Sequence, residues 1–268
     1  MKQRNLLRCF TILVAIFLAL CLSGSVLLHF YNLFPDPTSE RPFPYGLVEL
    51  FPTNGSLNMD SESILPALAQ RDTSLFTNML ATPETPVTQN QILWQQSDYL
   101  KIANAAFENL WGPTVADWDL VGLRFYSSCR TSPIGFSAAT ITYYRLEPNI
   151  PSRYDVRQLE INPQFNQIDW GEDTSYPRFL FDDWKNLNSK RFMIGADEAV
   201  KIAKNSALQN GRLSPQNDCE IWSILWSDEN YRWDVGFDGA AVNCKYNYFD
   251  IHVDSQTGEI RQGYCQAN

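Results

Sequence analysis

One local pattern occurs twice in this chain, and the repetition limits the fold more than any single motif does. Lys101-Ile102-Ala103 returns 100 residues later as Lys201-Ile202-Ala203. Ile161…Ile168…Gly171 returns as Val253…Ile260…Gly263 with equal internal spacing. Matched anchors in matched order point to a duplicated element. In the first copy Tyr99, Ile102, Ala103, Ala106 and Phe107 recur at helical spacing and make one apolar stripe. Three strand-like runs follow, Trp118–Tyr126, Ala138–Leu146 and Tyr154–Ile161. Val121, Leu123 and Phe125 alternate with their neighbours, as a sheet with one buried face requires.

The second copy opens at Gly195-Ala196-Asp197 with a helix to about Gln209, Asp197 serving as N-cap and Gly211 as the left-handed exit. Strands are expected at Glu220–Trp226, Tyr231–Asp238, Tyr246–Val253 and Glu259–Tyr264. Along the second of these, Tyr231, Trp233, Val235 and Phe237 face one way and Arg232, Asp234 and Asp238 the other. The expected fold class is α+β, with two tandem units, each one helix packed on an antiparallel meander. These units cover residues 92–171 and 195–268, with a packed connector at 172–194.

What precedes them is different in kind. Cys9–Phe34 contains no Asp, Glu, Lys or Arg and is long enough for the roughly 20 apolar residues that span a bilayer. Lys2, Arg4 and Arg8 lie before it. The positive-inside rule then predicts a cytoplasmic tail at 1–8, a signal anchor at 9–34 and an extracytoplasmic remainder. A cleaved signal peptide is the rival reading, with Ser23-Gly24-Ser25 as the small residues, but apolar sequence continues directly past them. Residues 35–91 are rich in proline and read as a tether, with room for a short docking helix within 61–80. Three of the 21 basic residues fall in the first 34, leaving 18 against 30 acids beyond them. That acidic surface repels phosphate backbones, so no nucleic-acid partner is expected.

The cysteines agree with export. Cys129, Cys219, Cys244 and Cys265 lie in the exported part, and four allow two disulfides. A tight turn at 227–230 sets Trp226 opposite Tyr231 and Cys219 opposite about Asp238, near the loop to Cys244. Cys219–Cys244 is therefore the expected bridge, with Cys129–Cys265 by elimination.

The run ADEAVKIA, the strand YRWDVGF and the closing hairpin FDIHVDSQTGEI resemble the PepSY domain. Ala199, Ile202 and Ala203 match its helix pattern, and Val253, Asp254, Thr257, Gly258, Glu259 and Ile260 match its hairpin. At the first hairpin Asn162, Phe165, Asn166 and Gln167 stand where that pattern has Asp, Thr, Gly and Glu. These residues have structural work: Gly258 permits the turn and Asp254 bonds nearby amides. The resemblance implies an extracytoplasmic protein that restrains or regulates a peptidase.

Catalytic signals are sparse. His252 is the one histidine beyond residue 34, and it sits mid-strand on the polar face. Glu172-Asp173 and Asp182-Asp183 are adjacent pairs whose side chains diverge. No phosphate-binding loop, metal signature or cofactor motif is present. Neither catalytic nor metal residues are expected, and no cofactor. Trp111, Trp222, Trp226 and Trp233 fit core packing, whereas Trp170 and Trp184, flanking the connector, are the expected exposed aromatics of a binding surface. The expectation is a membrane-anchored protein, not an enzyme, that binds an extracytoplasmic partner such as a peptidase. The alternative is a sensory or scaffolding ectodomain that holds a small envelope ligand.

Overall fold

The computed structural model describes residues 51–70, 72, 74–79, 85–86, 92–130, 134–146, 153–177, 194–226, 231–244 and 247–265. All belong to one compact unit, Tyr45–Asn268. The anchor expected at 9–34 lies outside the described residues, and no described helix is long and apolar enough to cross a membrane.

Among the described residues there are ten strands: β1 (Thr53–Asn58), β2 (Thr77–Asn78), β3 (Asp119–Ser128), β4 (Ala138–Leu146), β5 (Arg153–Asn162), β6 (Gln167–Pro177), β7 (Glu220–Trp226), β8 (Arg232–Asp238), β9 (Tyr248–Asp254) and β10 (Ile260–Tyr264). Three α-helices accompany them among the described residues: α1 (Ile64–Ala69), α2 (Gln96–Trp111) and α3 (Ala196–Gln209). The strands make one antiparallel sheet in the order β10-β9-β8-β7-β3-β4-β5-β6-β1-β2.

This overturns the expectation of two separate helix-on-meander units. The physical reason is the pair of edges that two isolated meanders would leave bare. In isolated meanders β3 and β7 would each carry unpaired backbone groups on one side. They pair antiparallel, with Leu123 opposite Leu225 and Phe125 opposite Ser223. The apolar faces of both halves then run together into a single core. Leu123, Phe125, Ile141, Leu225, Trp233 and Ile251 lie in it with the inward stripes of α2 and α3. Phe125 meets Trp233 across the seam at 6.3 Å between ring centroids. The two helix starts are tied directly, since Gln96 Oε1 accepts from the Ala196 amide at 2.6 Å.

Part of the expected tether also belongs to the sheet. β1 pairs with the outer side of β6, from Thr53 opposite Glu172 to Asn58 opposite Gln167. Leu57 thereby covers Ile168, and both are essentially buried. A Cβ on Gly171 would fall 2.7 Å from the Phe51 ring, so the glycine makes room for Phe51. The short docking helix anticipated within 61–80 is α1, where Pro66 sits in the first turn and no intrahelical N–H is lost. α1 packs against α2.

The cysteines form two disulfides, but not the expected pairs. Cys129 joins Cys219 with Cα atoms 5.0 Å apart, and Cys244 joins Cys265 at 5.6 Å. The turn geometry did place Cys219 at the correct end of β7, since Glu220 opposes Asp238. The seam decides the outcome: β3 lies on the other side of β7, and the Cys129 amide donates to the Cys219 carbonyl at 2.8 Å.

The two hairpins close alike. Gly258 takes φ 75°, and Asn166, at the same place in the first repeat, takes φ 52°. Asp254 Oδ1 accepts from the Gln256 and Thr257 amides at 2.8 and 2.9 Å, as its turn role requires. Gly211 exits α3 at φ 65°, but the N-cap is Gly195, with Asp197 in the first turn.

Candidate binding surface

The outer face of β7–β10, opposite the core, gathers a cluster that no contiguous motif announces. Strand alternation buries Trp233, Val235 and Phe237 of β8 and Phe249, Ile251 and Val253 of β9 on the core side. Arg232, Asp234, Tyr248, Asp250 and His252 therefore share the outer face. Register sets Asp234 opposite His252 across β8–β9, and Tyr264 opposite Asp250 across β9–β10.

His252 Nε2 lies 3.4 Å from Asp234 Oδ1 and 3.6 Å from Asp250 Oδ2. Arg232 Nε donates to Asp234 Oδ1 at 3.0 Å. The imidazole meets the Tyr264 ring edge-on, with centroids 5.2 Å apart. His252 was expected on the polar face, and it is there, yet only 7% exposed. Burial holds its pKa below the ordinary histidine value, against the opposing pull of Asp234. Burial, with Asp234 second, pushes the Asp250 carboxyl up to about 6. Asp250 Oδ1 and His252 Nδ1 are buried and make no hydrogen bond.

Aromatic rings frame this cluster. Trp222 lies flat over Gly236, where a Cβ would come within 2.1 Å of the indole. It stacks on Tyr248 at 6.2 Å between centroids. Trp222 therefore sits on the outer face and not in the core, contrary to the sequence expectation. Tyr248 and Tyr264 remain 39% and 47% exposed. Arg232 already neutralises Asp234, so Asp250, beside the imidazole and the exposed Tyr248 and Tyr264, is the carboxylate suited to a cationic side chain. No group of three or more His, Cys, Asp or Glu among the described residues could hold a metal ion.

The other sequence-selected residues go elsewhere. Trp170 is half-buried, edge-on to Trp111 at 5.9 Å and closely faced by Gly55. Trp184, Asp182 and Asp183 lie outside the described residues. Glu172 accepts from Trp111 Nε1 at 2.9 Å and stands 3.8 Å from Arg157. The Arg157 guanidinium lies 4.3 and 4.7 Å from the Trp118 and Trp111 ring centres, and burial lowers its pKa to about 10. That assembly fastens the end of α2 to the sheet. A groove of about 450 Å³ runs between α1 and α2, bounded by Leu65, Leu68, Lys101 and Asn104.

Asp250, Tyr248 and Tyr264 are the site residues that sequence reasoning missed. Alternation correctly put Arg232 and Asp234 on the polar face. Only strand register joins them to residues some twenty positions away.

No protein-family model matches the chain, and no curated protein or solved structure is significantly similar to it.

Proposed function

We propose that the chain is a membrane-tethered extracytoplasmic protein that binds a protein partner through the outer face of β7–β10. The carrying observation is the pairing of exposed Tyr248 and Tyr264 with the largely desolvated Asp250–His252 cluster between them. Exposed tyrosines are among the aromatics in which interface centres are enriched. Two disulfides among the exported cysteines favour an oxidising compartment, and the charge-free segment 9–34 supplies the tether. The hairpin residues Asp254, Thr257 and Gly258 resemble those of PepSY domains, so a cell-envelope peptidase is the favoured partner class. Such a partner contributes a basic side chain to the acidic cluster.

The test is proximity labelling of the full chain in its own membrane, run beside the variant Tyr248→Ala/Tyr264→Ala. The expected result is a labelled extracytoplasmic protein that the double variant loses while keeping its thermal unfolding midpoint. Identical neighbours for both proteins would remove the surface from consideration.

A further inference from the structure

We infer that the outer edge of β10, the last strand of the sheet among the described residues, accepts an extended segment of the protein partner as an added antiparallel strand. This rests on the reading that the chain binds a protein. The chain itself supplies the template. β6 and β10 hold the same place after their hairpins, marked by Ile168…Gly171 and Ile260…Gly263. β6 has its outer edge covered by β1 over six residues. Its Ile168 is fully buried, opposite Leu57. Among the described residues β10 ends the sheet, and all five of its residues are exposed. Ile260, the counterpart of Ile168, is 43% exposed. Of six large hydrophobic residues exposed among those described, three, Tyr248, Ile260 and Tyr264, lie on β9 and β10. Among the described residues, exposed apolar surface is concentrated at this edge.

The register states what the added strand must look like. Ile260 pairs with Val253, on the core side of the sheet. Tyr264 pairs with Asp250, on the outer side. A bulge at Arg261 shifts the ladder between them. An incoming strand therefore needs an apolar residue beside Ile260, as Leu57 stands beside Ile168. It needs a long basic residue on the outer side. From one strand beyond β10, about 10 Å from β9 at ordinary strand spacing, such a side chain passes over Tyr264 toward Asp250. Backbone pairing supplies affinity, and these two positions supply selectivity.

A photo-cross-linking residue at Gln262 of the full chain, in its native membrane, tests this beside the same residue at Asp238, which lies opposite Tyr248 on the outer face. The expected result is that Gln262 captures one contiguous segment of one protein. A synthetic peptide of that segment then slows hydrogen exchange at residues 260–264, and N-methylating its alternate backbone amides weakens binding about tenfold or more. Capture at Asp238 alone overturns strand addition and leaves the binding surface standing. Equal binding by the N-methylated peptide overturns it as well. No capture at either position removes the binding reading itself.

Discussion

Asp250 is a carboxylate held where its charge is unwelcome. Its side chain is 16% exposed and faces Asp234, and its pKa rises from an ordinary 3.8 to about 6. A raised folded-state pKa means the native state holds the proton more tightly than the unfolded chain does. The associated stability is present below about pH 4 and is lost as pH climbs through about 6. His252 has the opposite sign: its pKa is lowered by burial, so acidification below its ordinary 6.5 works against the native state. Asp250→Asn removes the first effect. Thermal unfolding should show the variant more stable than the parent at pH 7.5 and equal to it near pH 4. A difference independent of pH contradicts the buried-charge assignment. Gly236 is the other residue on which this face depends. Gly236→Ala pushes a methyl group into the Trp222 ring and should cost about 1–3 kcal/mol. In a Trp222→Ala background the same change should cost almost nothing, and equal costs in both backgrounds would dissociate the two residues.

β1 is the element whose role departs furthest from its sequence. Phe51, Leu57, Met59 and Ile64, in and around it, are all essentially buried. At roughly 1.5–3 kcal/mol for each buried side chain, their loss approaches the whole stability of a typical domain. A chain beginning at residue 45 should unfold cooperatively, and one beginning at residue 92 should aggregate or melt without a transition. Equal unfolding midpoints for the two would return 35–91 to the status of a tether. The reason for the misreading is visible in the residues. Thr-Asn-Gly-Ser-Leu-Asn has no alternation, one apolar residue and a proline before it. Its burial comes from β6, over a hundred residues away. Strands that face the core are legible locally: β4 and β7 match the expected Ala138–Leu146 and Glu220–Trp226 to the residue. Trp222 shows the limit of that signal, because an indole resting on Gly236 across the outer face looks like a core residue along its own strand. The candidate surface was half legible for the same reason. Alternation separates the two faces of one strand, whereas the meeting of Asp234, Asp250, His252 and Tyr264 depends on register between three.

At the scale of the whole molecule, the pairing of β3 with β7 organises everything else. It merges two short sheets into one and makes a common core beneath α2 and α3. It also leaves β10 and the two-residue β2 as the outer strands. The Cys129–Cys219 bridge locks this seam across 90 residues of chain, worth about 4–5 kcal/mol by loop closure. Its connectivity is also the sharpest reporter of the topology. Two isolated meanders would favour Cys219–Cys244 with Cys129–Cys265, whereas the seam brings Cys129 beside Cys219 and leaves Cys244 to Cys265. A non-reducing peptide map of the full-length protein separates the two. One continuous sheet predicts Cys129–Cys219 and Cys244–Cys265, and recovery of Cys219 joined to Cys244 would contradict it.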